Sequence, residues 1–161
     1  MRVLVLLTIS AAALLAYACI DLSTGEPSPP QLVAQTVITC LDCRLVDVTG
    51  VIDGDTIDTS VGRVRFFGID TPERGEACFS EATAATKRLT GRQVRLEDGP
   101  RLTDSFGRRL AYVYDASGNS IDVQLVAGGF ARAWTQDGQH LDLLVGLERI
   151  AREHGAGCLW E

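Results

Sequence analysis

The chain has 161 residues, 46% of them apolar and 22% charged, with a net charge of −6. These values exclude an intrinsically disordered chain and leave room for one domain with a real core. The acidic balance argues against general adhesion to nucleic acid, although a local field and a bound cation can override it at a site.

The N-terminus reads as a targeting segment. Arg2 precedes a largely apolar run, Val3 to Ala18, too short for a comfortable membrane span. Ala16-Tyr17-Ala18 forms a small-x-small cleavage site, so residues 1–18 are predicted to be a signal peptide and the mature chain to be secreted. A rival reading makes Cys19 the first mature residue and a lipid anchor. Residues 19–45 form a linker and a cysteine-containing segment; Pro27, Pro29 and Pro30 stiffen the linker. The run Leu32 to Cys40 is compatible with either an extra strand or a cover. Without Cys19, four cysteines remain, an even number suited to two disulfides in an oxidising compartment. Of the three possible pairings, Cys78 with Cys158 and Cys40 with Cys43 is the expected one. A zinc site is weaker, because Cys40-Leu41-Asp42-Cys43 has no second ligand pair.

The globular domain is placed at residues 46–161. Leu45 to Ile57 is β-like but broken by Gly50 and Gly54, and Val61 to Ile69 is a second β-rich run. Alternation sends Val64 and Phe66 to one side of that strand and Arg65 and Phe67 to the other. Ser80 is the predicted N-cap of a helix reaching Leu89, with Gly91 ending it. Gln93–Glu97 and Arg109–Tyr114 are the next strands. Asn119 or Ser120 caps a short helix, Ile121 to Ala127. The last helix runs from His140 to His154, with Leu143, Leu144, Leu147, Ile150 and Ala151 as its apolar stripe. This order predicts an α+β, mainly β fold: an OB-type five-stranded barrel with three helices.

Two segments carry the chemistry, Asp53-Gly54-Asp55-Thr56 and Arg65 through Asp70-Thr71-Pro72-Glu73. Clustered acids need a compensating cation, and arginine suits phosphate. The pattern therefore points to a hard-cation site beside a phosphate-binding arginine, and so to a phosphodiester. Taken singly, Asp53 and Asp55 also suit ordinary turns, and Trp134, Trp160, Asp137 and Asp142 read as packing or surface residues.

Together with Asp104-Ser105-Phe106-Gly107-Arg108-Arg109-Leu110-Ala111-Tyr112 and the closing Gly157-Cys158-Leu159-Trp160, these segments resemble the staphylococcal-nuclease-like (thermonuclease) family over Val46–Trp160. The resemblance implies a calcium ion ligated by Asp55, Asp70 and the Thr71 carbonyl, with Asp53 nearby. It implies that Arg65 and Arg108 grip the scissile phosphate and that Glu73 serves as general base or orients the water. The chain departs from the archetype at Trp134-Thr135-Gln136, where a pair of tyrosines is usual, and at Ser105, where lysine is common. Residues 46–161 hold 13 basic and 18 acidic residues, so modest, salt-sensitive affinity is expected. The leading expectation is a monomeric, calcium-dependent nuclease acting on DNA and RNA without a stable protein partner. The alternative is a non-catalytic OB-type nucleic-acid-binding or scaffold module.

Overall fold

The computed structural model describes residues 38–161. The targeting segment, the linker and most of the Leu32–Cys40 run lie outside the described residues. Where that run enters view, it lies against the loop before a short helix: Cys40 N–H donates to Gly118 O (2.9 Å), and Ser120 N–H donates to Ile38 O (3.1 Å).

The barrel strands are β1 (Arg44–Val51), β2 (Thr56–Thr59), β3 (Gly62–Phe66), β5 (Gln93–Thr103) and β6 (Arg109–Asp115). They close in the order β1-β2-β3-β6-β5, with β3 and β6 parallel and the other neighbours antiparallel. Two short strands, β4 (Ile69–Asp70) and β7 (Arg132–Ala133), pair outside the barrel. The helices are α1 (Phe79–Thr90), α2 (Ile121–Ala127) and α3 (Leu141–Glu153). Among the described residues, the OB-type barrel with three helices is therefore the architecture observed.

Several boundaries differ from the sequence pattern. The run Leu45–Ile57 is two strands folded back at Gly54, and Gly50 marks a register shift in β1. The run Val61–Ile69 breaks at Phe67-Gly68. A Cβ on Gly68 would stand 2.6 Å from Leu144 Cδ1 and 2.7 Å from Tyr112 Cε1, so the chain leaves the barrel where α3 and β6 press on bare backbone. Strand β5 continues past the expected end at Glu97 to Thr103. Its pairing with β6 is irregular between Asp98 and Thr103 and resumes at Thr103 opposite Arg109. The resulting arm carries residues of the site.

Helix α1 begins at Phe79, with Cys78 rather than Ser80 at the N-cap. Cys78 sits at φ 70° and makes no side-chain cap. The disulfide to Cys158 fixes this end covalently; the second disulfide joins Cys40 to Cys43. Ser120 is the cap of α2, its Oγ accepting Val123 N–H at 3.2 Å. Helix α3 buries Leu144, Leu147 and Ala151. Its start is clasped to the barrel through Glu97 of β5, which bonds Tyr114 OH and lies 3.1 Å from His140 Nε2. Burial opposes ionisation of Glu97, but these bonds and one from Gln139 outweigh it and hold its carboxyl below the usual range.

Asp122 of α2 is a buried acid that the sequence pattern did not single out. It is 1% exposed; Oδ2 accepts Val113 N–H at 2.9 Å while Oδ1 has no partner among the described residues. Desolvation pushes its pKa up to about 7, against the Val113 N–H bond and the Arg65 charge. An unfolded aspartate titrates near 3.9. The folded value is raised, so the stability linked to this group is full below the unfolded pKa and is lost as pH rises through about 7. Asp55, discussed below, is raised to about 6 and acts in the same sense.

Two stability measurements follow. Unfolding free energy linked to these acids should fall between about pH 4 and pH 7, from the unfolded to the folded pKa, and Asp122→Asn should flatten that slope; an equally steep slope in the variant would assign it elsewhere. The Cys78–Cys158 bridge spans 80 residues and the Cys40–Cys43 bridge three. Replacing the first pair by serine should cost roughly 2–5 kcal/mol in urea titrations, and replacing the second much less, because loop closure dominates the gain.

Candidate active site

The site begins at the tight β1–β2 turn. Ile52 N–H donates to Thr56 O (2.9 Å), and Asp55 N–H donates to Asp53 Oδ1 (3.1 Å), which turns the Asp53 carboxylate toward its own loop. Asp55 is thereby aimed inward. Its Oδ2 accepts Thr71 N–H (2.8 Å) and Thr71 Oγ1 (2.9 Å), and its Oδ1 accepts Thr56 Oγ1 (3.2 Å). Burial is the largest influence on its carboxyl and pushes it up to about 6, with Arg65 and the Thr71 N–H pulling the other way. A Cβ on Gly54 would lie 2.6 Å from Thr71 Oγ1, so only glycine lets the two loops approach this closely. Thr86 of α1 donates to Gly54 O, which ties the turn to the helix.

Arg65 on β3 meets this acid. Its Nε lies 3.1 Å from Asp55 Oδ1 and its Nη2 2.8 Å from Asp70 Oδ1. Nη1 donates to the carbonyls of Phe66 (2.9 Å) and Ile69 (2.8 Å). With its side chain 13% exposed, this guanidinium is held in one orientation by four oxygens. Asp70 is half exposed beside it.

Arg108 reaches the same region from the β5–β6 arm. Asp104 organises that loop: its Oδ1 accepts Phe106 N–H and Arg108 N–H (2.9 Å each), and its Oδ2 takes Arg108 Nε at 2.6 Å. Burial disfavours the Asp104 anion, but the Arg108 bonds prevail and hold its carboxyl below the usual range. Gly107, at φ 76°, permits the tight turn. Phe106 is 83% exposed, 5.6 Å from the Arg108 guanidinium.

A cavity of about 490 Å³ lies between this arm, the end of β3 and the segment after β7. Arg65, Arg101, Arg108, Phe106, Trp134 and Asp137 are among the residues lining it. The structure thus brings Asp55, Asp70, Thr71 and Arg65 together, and places Arg65 and Arg108 on one cavity. Glu73 is not on its lining. It is exposed at the turn after Pro72, where its backbone N–H donates to Glu76 Oε2 (2.8 Å). Its carboxylate accepts no hydrogen bond among the described residues.

Among the described residues, no group of three or more His, Cys, Asp or Glu side chains could hold a metal ion. The donor chemistry of Asp55 and Asp70 nevertheless fits a hard cation. Both carboxylates converge on one positive group, Arg65, and a buried anion pushed up to about 6 is under-compensated.

Two residues assigned to packing or surface charge belong to the cavity instead. Trp134 is half-buried on its wall and donates Nε1–H to Asp137 Oδ1 (2.9 Å). Asp137 also pairs with Arg101. Local pattern could not reveal these contacts, because Arg101 and Asp137 are 36 residues apart. Arg109 pairs with Asp98 at the barrel surface, and Trp160 packs against the guanidinium of Arg152.

Residues 63–161 match the family described as staphylococcal nuclease homologue, which is more than half of the chain. A thermonuclease of Staphylococcus intermedius is 39% identical over 97 residues, covering 53% of this chain and 57% of the relative. A micrococcal nuclease of Shigella flexneri is 33% identical over 127 residues, 71% of this chain and 72% of the relative. The succinoglycan biosynthesis protein ExoI of Rhizobium meliloti is 28% identical over 128 residues, with 72% and 64% covered. The chain spans less than two thirds of the length of the thermonucleases it matches.

Gly54→Ala tests the packing of the two loops. It should lower unfolding free energy by roughly 1–3 kcal/mol, as overpacking of a tight contact does. Unchanged stability would mean that the Asp55 turn is not braced by Thr71.

Proposed function

The chain belongs to the staphylococcal nuclease family, and from that premise we propose that it is a secreted, calcium-dependent nuclease hydrolysing phosphodiester bonds of DNA and RNA. One placement supports the activity above all: Arg65 and Arg108, far apart in sequence, line the same cavity. A phosphodiester seated there meets two preoriented cations, one fixed by Asp55 and Asp70 and the other by Asp104. Such fixed charges act most strongly where negative charge develops on the phosphoryl oxygens.

The family resemblance makes Glu73, which lies outside the cavity lining, the general base of this reading or the residue that orients the attacking water. As base, its carboxylate takes a proton from the attacking water, whose oxygen bonds to phosphorus as the ester P–O bond breaks; the departing oxygen takes a proton from solvent water, and Glu73 returns its proton to solvent. The family resemblance implies cleavage within a strand that leaves a 3′-phosphate. Asp55, Asp70 and the Thr71 carbonyl would hold calcium, with Asp53 nearby. When bound, calcium supplies positive charge for the phosphoryl oxygens and acidifies water. Two disulfides support an extracytoplasmic compartment, and no helix among the described residues is long and apolar enough to cross a membrane. Lipidation of Cys19 would change only the anchoring.

The oxidised protein, incubated with a single-stranded oligonucleotide, should cleave it in calcium and not in EDTA. Glu73→Gln should lower kcat by about 10²–10⁴-fold, and Arg108→Ala by about 10²–10³-fold. Cleavage in EDTA would remove the calcium role. No cleavage under any condition would favour the non-catalytic binding module.

A further inference from the structure

Arg101 lies outside every motif that carries the family resemblance. It stands on β5 and lines the same cavity as Arg65 and Arg108. Its surroundings repeat those of Arg108. Arg108 gives its Nε to Asp104 Oδ2 at 2.6 Å, with its guanidinium 5.6 Å from the Phe106 ring. Arg101 gives its Nε to Asp137 Oδ2 at 2.6 Å, with its guanidinium 5.2 Å from the Phe67 ring. The two side chains are comparably exposed, 45% for Arg101 and 36% for Arg108.

In each case a carboxylate holds the Nε edge, an aromatic ring lies beside the cation, and donors are left over. Asp137 also takes Arg101 Nη2 at 3.0 Å, but Arg101 Nη1 makes no hydrogen bond among the described residues. A guanidinium has five donors in a rigid fork, so it can keep its aspartate and still bind a phosphate oxygen. An ordinary surface ion pair would contribute little and would not need this setting. Here the pair sits on a cavity wall that already carries two guanidinium groups. Asp137 is anchored there by Trp134 as well.

We propose that Arg101 is a substrate-positioning residue that binds a phosphate adjacent to the scissile one, which makes the site selective for polynucleotide strands over isolated phosphodiesters. This rests on the nuclease reading above. A cavity of about 490 Å³ has room for more than one phosphate group. Asp137 sets the strength of the contact. It orients Arg101, but its own negative charge, maintained by the Arg101 hydrogen bond, opposes the incoming phosphate.

The test compares a single-stranded oligonucleotide with a nucleoside p-nitrophenyl phosphodiester, which has no neighbouring phosphate. In the full oxidised chain, Arg101→Gln should shift the ratio of the two kcat/KM values about tenfold against the oligonucleotide, the value of one charge-assisted contact. The change should lie in KM. The salt dependence of oligonucleotide binding should lose about 0.7 from its log–log slope, one phosphate contact on a single strand. Asp137→Asn keeps an acceptor for Trp134 and should tighten oligonucleotide binding. An unchanged salt slope in Arg101→Gln, an equal loss on both substrates, or weaker binding in Asp137→Asn would overturn the proposal and leave Arg101–Asp137 as a structural brace. If the wild type cleaves neither substrate, the nuclease reading fails. The salt slope of binding, which needs no cleavage, then decides this inference alone.

Discussion

The ion pair between Asp55 and Arg65 is the contact on which the site's geometry depends. It joins three pieces of chain at one point: the β1–β2 turn, the end of β3 and the exit into β4. Removing one partner of a buried pair leaves a charge without compensation, a loss of about 3–5 kcal/mol in comparable cases. Here the loss would not be confined to the pair. Asp55 also holds the Thr71 N–H and hydroxyl, and Arg65 holds the carbonyls of Phe66 and Ile69. Each charge therefore fixes the backbone that presents its neighbours. The acids and the arginine are positioned by the same bonds that stabilise the fold at this corner.

The β5–β6 arm solves a different problem. It stands away from the core, so burial cannot orient its side chains. Asp104 does this through hydrogen bonds, closing the loop on Phe106 and Arg108 while gripping the Arg108 guanidinium. Aspartate suits the task because its short side chain reaches nearby backbone N–H groups and still leaves an oxygen for the cation. The cavity thus combines one arginine immobilised by burial with two others held at Nε by a carboxylate.

The barrel was legible because its signals are local. Alternation of Val64 and Phe66 against Arg65 sets β3, and Gly91 and Ser120 mark ends that the structure confirms. Errors arose where a tertiary contact overrode the local signal. Ser80 looks like a cap, yet α1 begins at Phe79, with Cys78, bridged to Cys158, at the N-cap. The expected strand ends at Glu97, but Gly99 allows β5 to pass close to the Phe67 ring, and the strand continues to Thr103. The motif acids and arginines could be singled out because their spacing is distinctive. The convergence of Asp55 on Thr71 and Arg65 is visible only in three dimensions. Arg101, Asp137 and Asp122 carried no such spacing: the first two meet across 36 residues, and Asp122 resembles an ordinary acid near a helix start.

An acidic protein that handles a polyanion needs its positive charge to be local rather than overall. In this cavity each guanidinium is already matched by a carboxylate: Arg65 by Asp55 and Asp70, Arg108 by Asp104, Arg101 by Asp137. The wall is therefore close to neutral at long range, and electrostatic steering of a strand toward it is weak. At short range the balance changes. Asp104 holds Arg108 at Nε and Asp137 holds Arg101 at Nε and Nη2, so a ligand that reaches the Arg108 Nη groups or Arg101 Nη1 still meets donors, whereas the Nη groups of Arg65 are engaged by Asp70 and two carbonyls. Under the proposed function, recognition then comes from hydrogen-bond geometry at contact more than from attraction at a distance. The same pairing would discourage polyanions that fit the cavity poorly, because such ligands would meet the aspartates without satisfying the arginines.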